Sequence, residues 1–240
     1  IRNEQTRLPG DLVHYVQYRQ NTNPPDKWTN TVMTRRWRLV RGEELYDIKD
    51  DPGQKNDVAA EHPEVVQRLR EAHEVWWAEI SPQLEAYCPI SLGNEAENQA
   101  RLCAMDVLGD VAWHQTHITQ AQKSTGTWAV DVEKPGMYRF SLRRWPADRD
   151  LAIDDVIPTE EARQLIYSSE DDTSSRIAPV QATLKLFDQE KLQSVAPGDQ
   201  DVRFTMDMPR TGTTLLEAWF IDNHGERRGA YYVDVKRVGE

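Results

Sequence analysis

Trp128-Ala129-Val130-Asp131-Val132, the turn Lys134-Pro135-Gly136, then Tyr138-Arg139-Phe140-Ser141-Leu142 decide the fold class. Trp128, Val130 and Val132 alternate with smaller or polar residues, and so do Tyr138, Phe140 and Leu142 after the turn. A period of two places every second side chain on one face, which is the signature of a half-buried strand. The same pattern recurs at Val180, Ala182, Leu184 and Leu186, and at Val202, Phe204 and Met206. Thr214–Ile221 and Ala230–Val238 read as a last pair, joined through Asp222-Asn223-His224-Gly225. Six such strands with turn residues between them predict an all-β sandwich of jelly-roll type over 113–240. The stretch 147–176 interrupts the alternation, with a short helical piece near Glu160–Leu165 and a Ser/Asp tract, Ser168–Ser175, expected to lack regular structure.

Upstream the pattern changes. Leu12–Tyr18 and Val32–Arg41 read as strands, and Gly42 allows a reversal into Glu43–Ile48. Asp51-Pro52-Gly53 closes that hairpin with a turn. Pro63 then suits a first helical position, and Val65, Leu69, Ala72, Trp76 and Ile80 form one apolar stripe, widened by Val66 and Trp77. Ser81-Pro82 should end this helix, because a residue before proline is driven out of the α region. The expected class is therefore α+β: a small antiparallel sheet with one packed helix over 1–82, a transition over 83–112, and the sandwich.

Composition narrows the partners. The chain has 240 residues, 29 Lys+Arg against 40 Asp+Glu, and a net charge of −11. That balance disfavours nucleic acid and an anionic membrane surface, both of which select for basic residues. Mean hydropathy is −0.74, with no apolar run long enough for a spanning helix. Eight tryptophans, eight tyrosines and four phenylalanines exclude a wholly disordered chain. The chain begins Ile1-Arg2-Asn3, without a signal peptide, so it names no compartment and reads as lacking an upstream part.

Chemistry-bearing patterns are sparse. No G-x-S-x-G, P-loop or G-x-G-x-x-G occurs. Cys88 and Cys103 are too few for a disulfide framework and have no adjacent cation, so they read as structural thiols. His114 and His117, with Asp106 and Asp110 near in sequence, suggest a metal site, but the H-E-x-x-H spacing is missing and a capping role is favoured. Asp47, Asp50, Asp51 and Asp57 lack EF-hand register and read as turn residues. Arg35-Arg36-Trp37-Arg38 and Arg143-Arg144-Trp145 interleave cations with an indole, a pattern that can hold a sugar or an oxyanion. On a strand alternate residues diverge, so a core-facing Trp beside solvent-facing or paired Arg is the favoured reading. The acidic pairs Asp154-Asp155 and Glu160-Glu161 read as a solvated loop.

Residues 44–59, Glu-Leu-Tyr-Asp-Ile-Lys-Asp-Asp-Pro-Gly-Gln-Lys-Asn-Asp-Val-Ala, follow an ELYD-x-x-x-DP-x-x-x-N pattern. With the strand Val32–Leu39 before it and the helix to Ile80 after it, this segment resembles the C-terminal region of sulfatases. Asn21–Trp28 resembles bacterial arylsulfatase-like proteins. Ile90–Glu95, Trp113-His114-Gln115, Leu142–Pro146 and Trp219–Asp222 resemble a β-rich extension carried by some of them. The resemblance implies calcium-dependent sulfate ester hydrolysis by a formylglycine made within C/S-x-P-S-R. Neither that motif nor the family's Asp-Asn-Gly metal segment occurs here; Cys88-Pro89-Ile90-Ser91 is not it.

The resemblance implies a C-terminal part, inactive alone, whose partner is an N-terminal sulfatase catalytic domain holding the calcium and the formylglycine. It also implies a periplasmic or secreted location. By analogy Asn21, Asn23 and Trp28 border the substrate pocket. The alternative is a carbohydrate-binding sandwich presenting Trp113, His114, Arg143 and Trp145 to a sulfated carbohydrate, for which a row of exposed aromatic rings is expected. If the small sheet docks on another domain, an exposed apolar patch is expected near Leu12, Val13, Tyr15 or Val32.

Overall fold

A computed structural model describes residues 13–16, 25–84, 86–165 and 173–239. The chain divides into two compact units, 1–87 and 88–240.

The first unit contains β1 (His14–Val16), β2 (Thr31–Met33), β3 (Trp37–Val40), β4 (Glu44–Asp47) and α1 (Pro63–Ile80). The strands pair antiparallel in chain order. Register sets Tyr15 opposite Val32, Val32 opposite Leu39 and Leu39 opposite Leu45, one row across one face. α1 lays Leu69, Val65 and Val66 on that row. Val32, Leu39 and Leu45 are fully enclosed, and each enclosed leucine contributes roughly 1.5–3 kcal/mol.

The expected single strand Val32–Arg41 is broken in two. The Thr34 N–H donates to the Trp37 carbonyl at 2.9 Å, and the Trp37 N–H donates to Thr34 Oγ1 at 3.0 Å. This local closure turns β2 back on β3, and a β-rich composition does not disclose it. Pro63 opens α1 as expected, but Ser81 stays in the α region. The chain tightens instead into a 3₁₀ turn, Ser81–Gln83, because Pro82 there needs no N–H partner. At Gly42, φ is +72°, and the Trp28 ring lies 2.6 Å from where a Cβ would stand. Both facts demand glycine.

Among the described residues named for the expected exposed patch, none is exposed, although Val16 of β1 is. Val32 is in the core, Val13 packs against it, and Tyr15 stacks on Trp76 while donating to the Ala72 carbonyl at 3.0 Å. Leu12, Gln17 and Tyr18 lie outside the described residues, as does Ser168–Asp172 of the Ser/Asp tract.

The second unit holds, in order, β5 (Ile90–Leu92), β6 (Gln99–Cys103), α2 (Gln115–Thr119), β7 (Thr127–Val132), β8 (Gly136–Arg143), α3 (Thr159–Arg163), β9 (Pro179–Leu186), β10 (Gln189–Ser194), β11 (Val202–Met208), β12 (Gly212–Asp222), β13 (Arg227–Gly229) and β14 (Tyr232–Gly239). One sheet runs β10-β9-β12-β7-β5, with β13 on β12; the other runs β11-β8-β14-β6. Trp128, Val130, Leu184 and Leu216 of the first sheet share one enclosed core with Phe140, Leu142, Phe204 and Val233 of the second. The architecture is the α+β arrangement expected, a small sheet with one helix and a two-sheet sandwich.

Two expectations need correcting. The stretch 83–112 is not a bare transition: β5 lies parallel to β7, and β6 pairs with β14. These strands are short, with only Leu92, Ala100 and Leu102 enclosed, so the alternation is too brief to read. The last two long strands also do not pair. β12 turns into β13, and β14 then joins the opposite sheet beside β8. Likewise Lys134-Pro135-Gly136 carries the chain from one sheet to the other. A period of two marks an inward face, but both sheets share that inward face, so it cannot assign a partner.

Candidate functional site

In the first unit, residues 44–59 form a clasp between β4 and α1. Asp47 accepts from Arg36 Nε and Nη2 at 2.9 and 2.6 Å. The Arg36 guanidinium holds the Asp47 carboxyl below its usual range. Asp51 accepts the Lys55 and Asn56 N–H groups at 2.7 and 2.8 Å. Asp57 ties the Leu45 N–H of β4 to the Ala59 N–H of the helix approach, both at 2.9 Å. Three carboxylates are thus spent on the backbone and one guanidinium, in agreement with a turn role and not with metal ligation.

Trp28 stacks on His73, ring centroids 4.0 Å apart, with Trp76 and Trp77 around the same imidazole. His73 is fully enclosed and its Nε2 lies 2.6 Å from Asn30 Nδ2, itself buried. With the amide donating, Nε2 accepts and Nδ1 carries the proton; Nδ1 and Asn30 Oδ1 have no partner. Burial pushes the His73 pKa down. Sequence reasoning missed His73, although its spacing of four from Leu69 puts it on the buried stripe. Trp28 therefore packs inward. Asn21 and Asn23 lie outside the described residues.

In the second unit, His114 is the N-cap of α2, its Nδ1 accepting from the His117 N–H at 3.4 Å. The two imidazoles lie 3.6 Å apart, with the Trp113 ring edge-on to both. Burial, and then the neighbouring His114, lower the His117 pKa. Asp106 is turned away to the Cys103 thiol at 2.8 Å, and no group of three metal-binding side chains occurs among the described residues. Both cysteines are free, and burial beside Asp106 pushes the Cys103 thiol up to about 11.

At the end of β8 the three neighbours diverge. Arg143 is held by Asp201 at 2.6 Å and faces Asp234 at 3.6 Å, so its charge is neutralised. Arg144 is fully enclosed and donates to the carbonyls of Asp155, Ile118, Thr119 and Ser175. Burial pushes its pKa down to about 10. Its guanidinium lies 4.4 Å over the Trp145 ring. Trp145, with Pro146, Ile118, Ile157 and Tyr232, lines a half-open apolar recess of about 160 Å³. The Arg149–Glu161 ion pair borders it.

Of the sandwich residues singled out from sequence, Trp145 lines this recess, His114 caps the adjoining helix, Trp113 is 37% exposed, and Arg143 is spent between strands. The expected row of exposed aromatics is absent among the described residues; no other sandwich ring reaches the exposure of Trp113. Comparison of the chain with known protein families, curated proteins and solved structures returns no match.

Proposed function

We propose that this chain is the C-terminal part of a sulfate ester hydrolase, a scaffold that supports a catalytic domain and has no turnover of its own. The observation that carries this reading is the clasp. The residues behind the sulfatase resemblance place their aspartates on main-chain N–H groups and Arg36, where they join β4 to the approach of α1. Such residues set the shape of a small subdomain; they offer no nucleophile and no open metal position. On this reading, the partner domain supplies calcium and the formylglycine, and this chain supplies structural support.

The test has two arms. The purified chain with added calcium is assayed on a chromogenic aryl sulfate, and no hydrolysis above buffer is expected. The reading frame upstream of Ile1 is then determined, and a C/S-x-P-S-R motif is expected there. Turnover by the chain itself, or a frame without that motif, would sink the proposal.

A carbohydrate-binding sandwich is the second reading. It draws on the Trp145 recess, where an indole and apolar neighbours meet a charged rim, a combination suited to a sugar ring. Quenching of tryptophan emission by a panel of neutral and sulfated saccharides tests it, with no response counting against it.

A further inference from the structure

A different corner of the sandwich gathers positive charge. Lys123 precedes β7, Arg176 precedes β9, and Arg227 and Arg228 belong to β13; pairing of β9 and β13 with β12 brings all four to one recess of about 140 Å³. The enclosed side chains of Phe220 and Ile177 form its apolar wall. In a chain of net charge −11, this concentration runs against the average.

The carboxylates nearby do not cancel it. Glu226 pairs with Lys123 at 2.7 Å, and Asp154 with Arg176 at 3.1 Å. Asp222 accepts the His224 and Glu226 N–H groups of its own turn, both at 2.9 Å. Arg228 donates to the Ala121 carbonyl and lies 3.5 Å from the Tyr231 hydroxyl, partners that bring no negative charge. The exposed Arg227 side chain makes no hydrogen bond or ion pair among the described residues. Behind them Arg144, held by carbonyls, reaches the Ser175 carbonyl at 2.6 Å, next to Arg176. Arg228 and Arg176 add repulsion to the burial that lowers its pKa. Two guanidiniums at one mouth, lacking carboxylate partners, present the forked donors that match an oxyanion. The recess has about the room of one six-membered ring.

We propose that this corner binds a ring-sized ligand carrying an oxyanion, a sulfate ester or a carboxylate, with Arg227 and Arg228 as the anion contacts and the Phe220–Ile177 wall against the ring. The site needs nothing from the sulfate ester hydrolase reading, and its failure leaves that reading standing.

Calorimetric titration of the full chain tests it with four probes: galactose 6-sulfate, galacturonic acid, galactose and inorganic sulfate. At least one charged sugar is expected to bind, at least about tenfold tighter than galactose, and more weakly as salt rises. Which charged sugar binds tells sulfate ester from carboxylate. Arg227→Glu, at an exposed position, is expected to weaken binding by about tenfold or more. Arg210→Glu, which lies on another turn, is expected to leave it unchanged. Galactose binding as tightly as the charged sugars, no binding by either, or an unchanged affinity in Arg227→Glu would overturn the proposal. Inorganic sulfate binding as tightly as galactose 6-sulfate would overturn the ring contact.

Discussion

The two units bury an antiparallel sheet in different ways. In the first, one helix covers one face, and the enclosed core is Val32, Trp37, Leu39, Leu45 and Leu69. In the second, each sheet covers the other, and one enclosed cluster runs from Leu92 to Val235. The buried polar groups differ in kind. His73 and Asn30 lean on each other, each with one unpartnered atom. Arg144, beside the small cluster of Ile118, Trp145 and Tyr231, donates to four carbonyls, and its Nε alone has no partner. A small core has little reserve against its own buried polar groups, because surface falls more slowly than volume as a domain shrinks. A guanidinium with several donors can instead serve as a tie between loops.

Matched truncations break this comparison most forcefully. Leu69→Ala and Leu184→Ala each remove a fully or nearly fully enclosed leucine, at a cost of about 2–5 kcal/mol. Similar losses are expected to have unequal consequences: peptides of 25–84 should lose hydrogen-exchange protection altogether in Leu69→Ala, while the sandwich keeps a cooperative transition in Leu184→Ala. Equal residual protection in the two variants would remove the distinction. Gly42→Ala comes next. It forces an L-residue to positive φ and drives a methyl into Trp28, for about 1–3 kcal/mol, read as a lower urea midpoint for the first unit alone.

Acid sharpens the contrast. The His73 pKa is lowered by burial from 6.5, so below that value the unfolded chain takes up the proton first. Its contribution to stability is complete above pH 6.5 and declines as pH falls toward the folded value. Asp47 adds a lower step: its contribution holds above 3.8 and is lost as pH falls through its depressed folded pKa. His117 gives the sandwich a step of the same sign as His73. His73→Gln is expected to flatten the first unit's decline below pH 6.5 and leave the sandwich's decline in place; urea midpoints across that window check it. The smallest effect concerns reactivity, not stability. Cys88 is exposed, whereas the Cys103 thiol is pushed up to about 11, so a thiol reagent at pH 8 should label Cys88 fast and Cys103 only on unfolding. Comparable rates would mean that the Cys103–Asp106 contact is not kept in solution.

Much of the fold is legible in residue spacing. The stripe from Val65 to Ile80 specifies α1 with Pro63 at its start, and the alternation at Trp128, Phe140, Leu184 and Phe204 marks four sandwich strands. β10 is illegible because Gln189–Ser194 lies at a sheet edge with almost nothing enclosed, and polar edge strands carry no apolar face to count. The candidate sites are less legible still. Arg143, Arg144 and Trp145 look equivalent in sequence, yet one is ion-paired, one is swallowed by carbonyls and one lines a recess. Lys123, Arg176, Arg227 and Arg228 carried no signal at all, since cations drawn from three separate segments of the chain share no motif.

Local preference and period are properties of a few neighbouring residues, so the order of amino acids was enough to settle the long strands with an apolar face, where the helix begins, and that the chain is α+β. Which sheet a strand joins, which side chains lose their solvent, and which charges meet at one corner depend on contacts between distant segments. Those were decided by the tertiary structure, because desolvation and Coulomb energy act through space and take no account of distance along the chain.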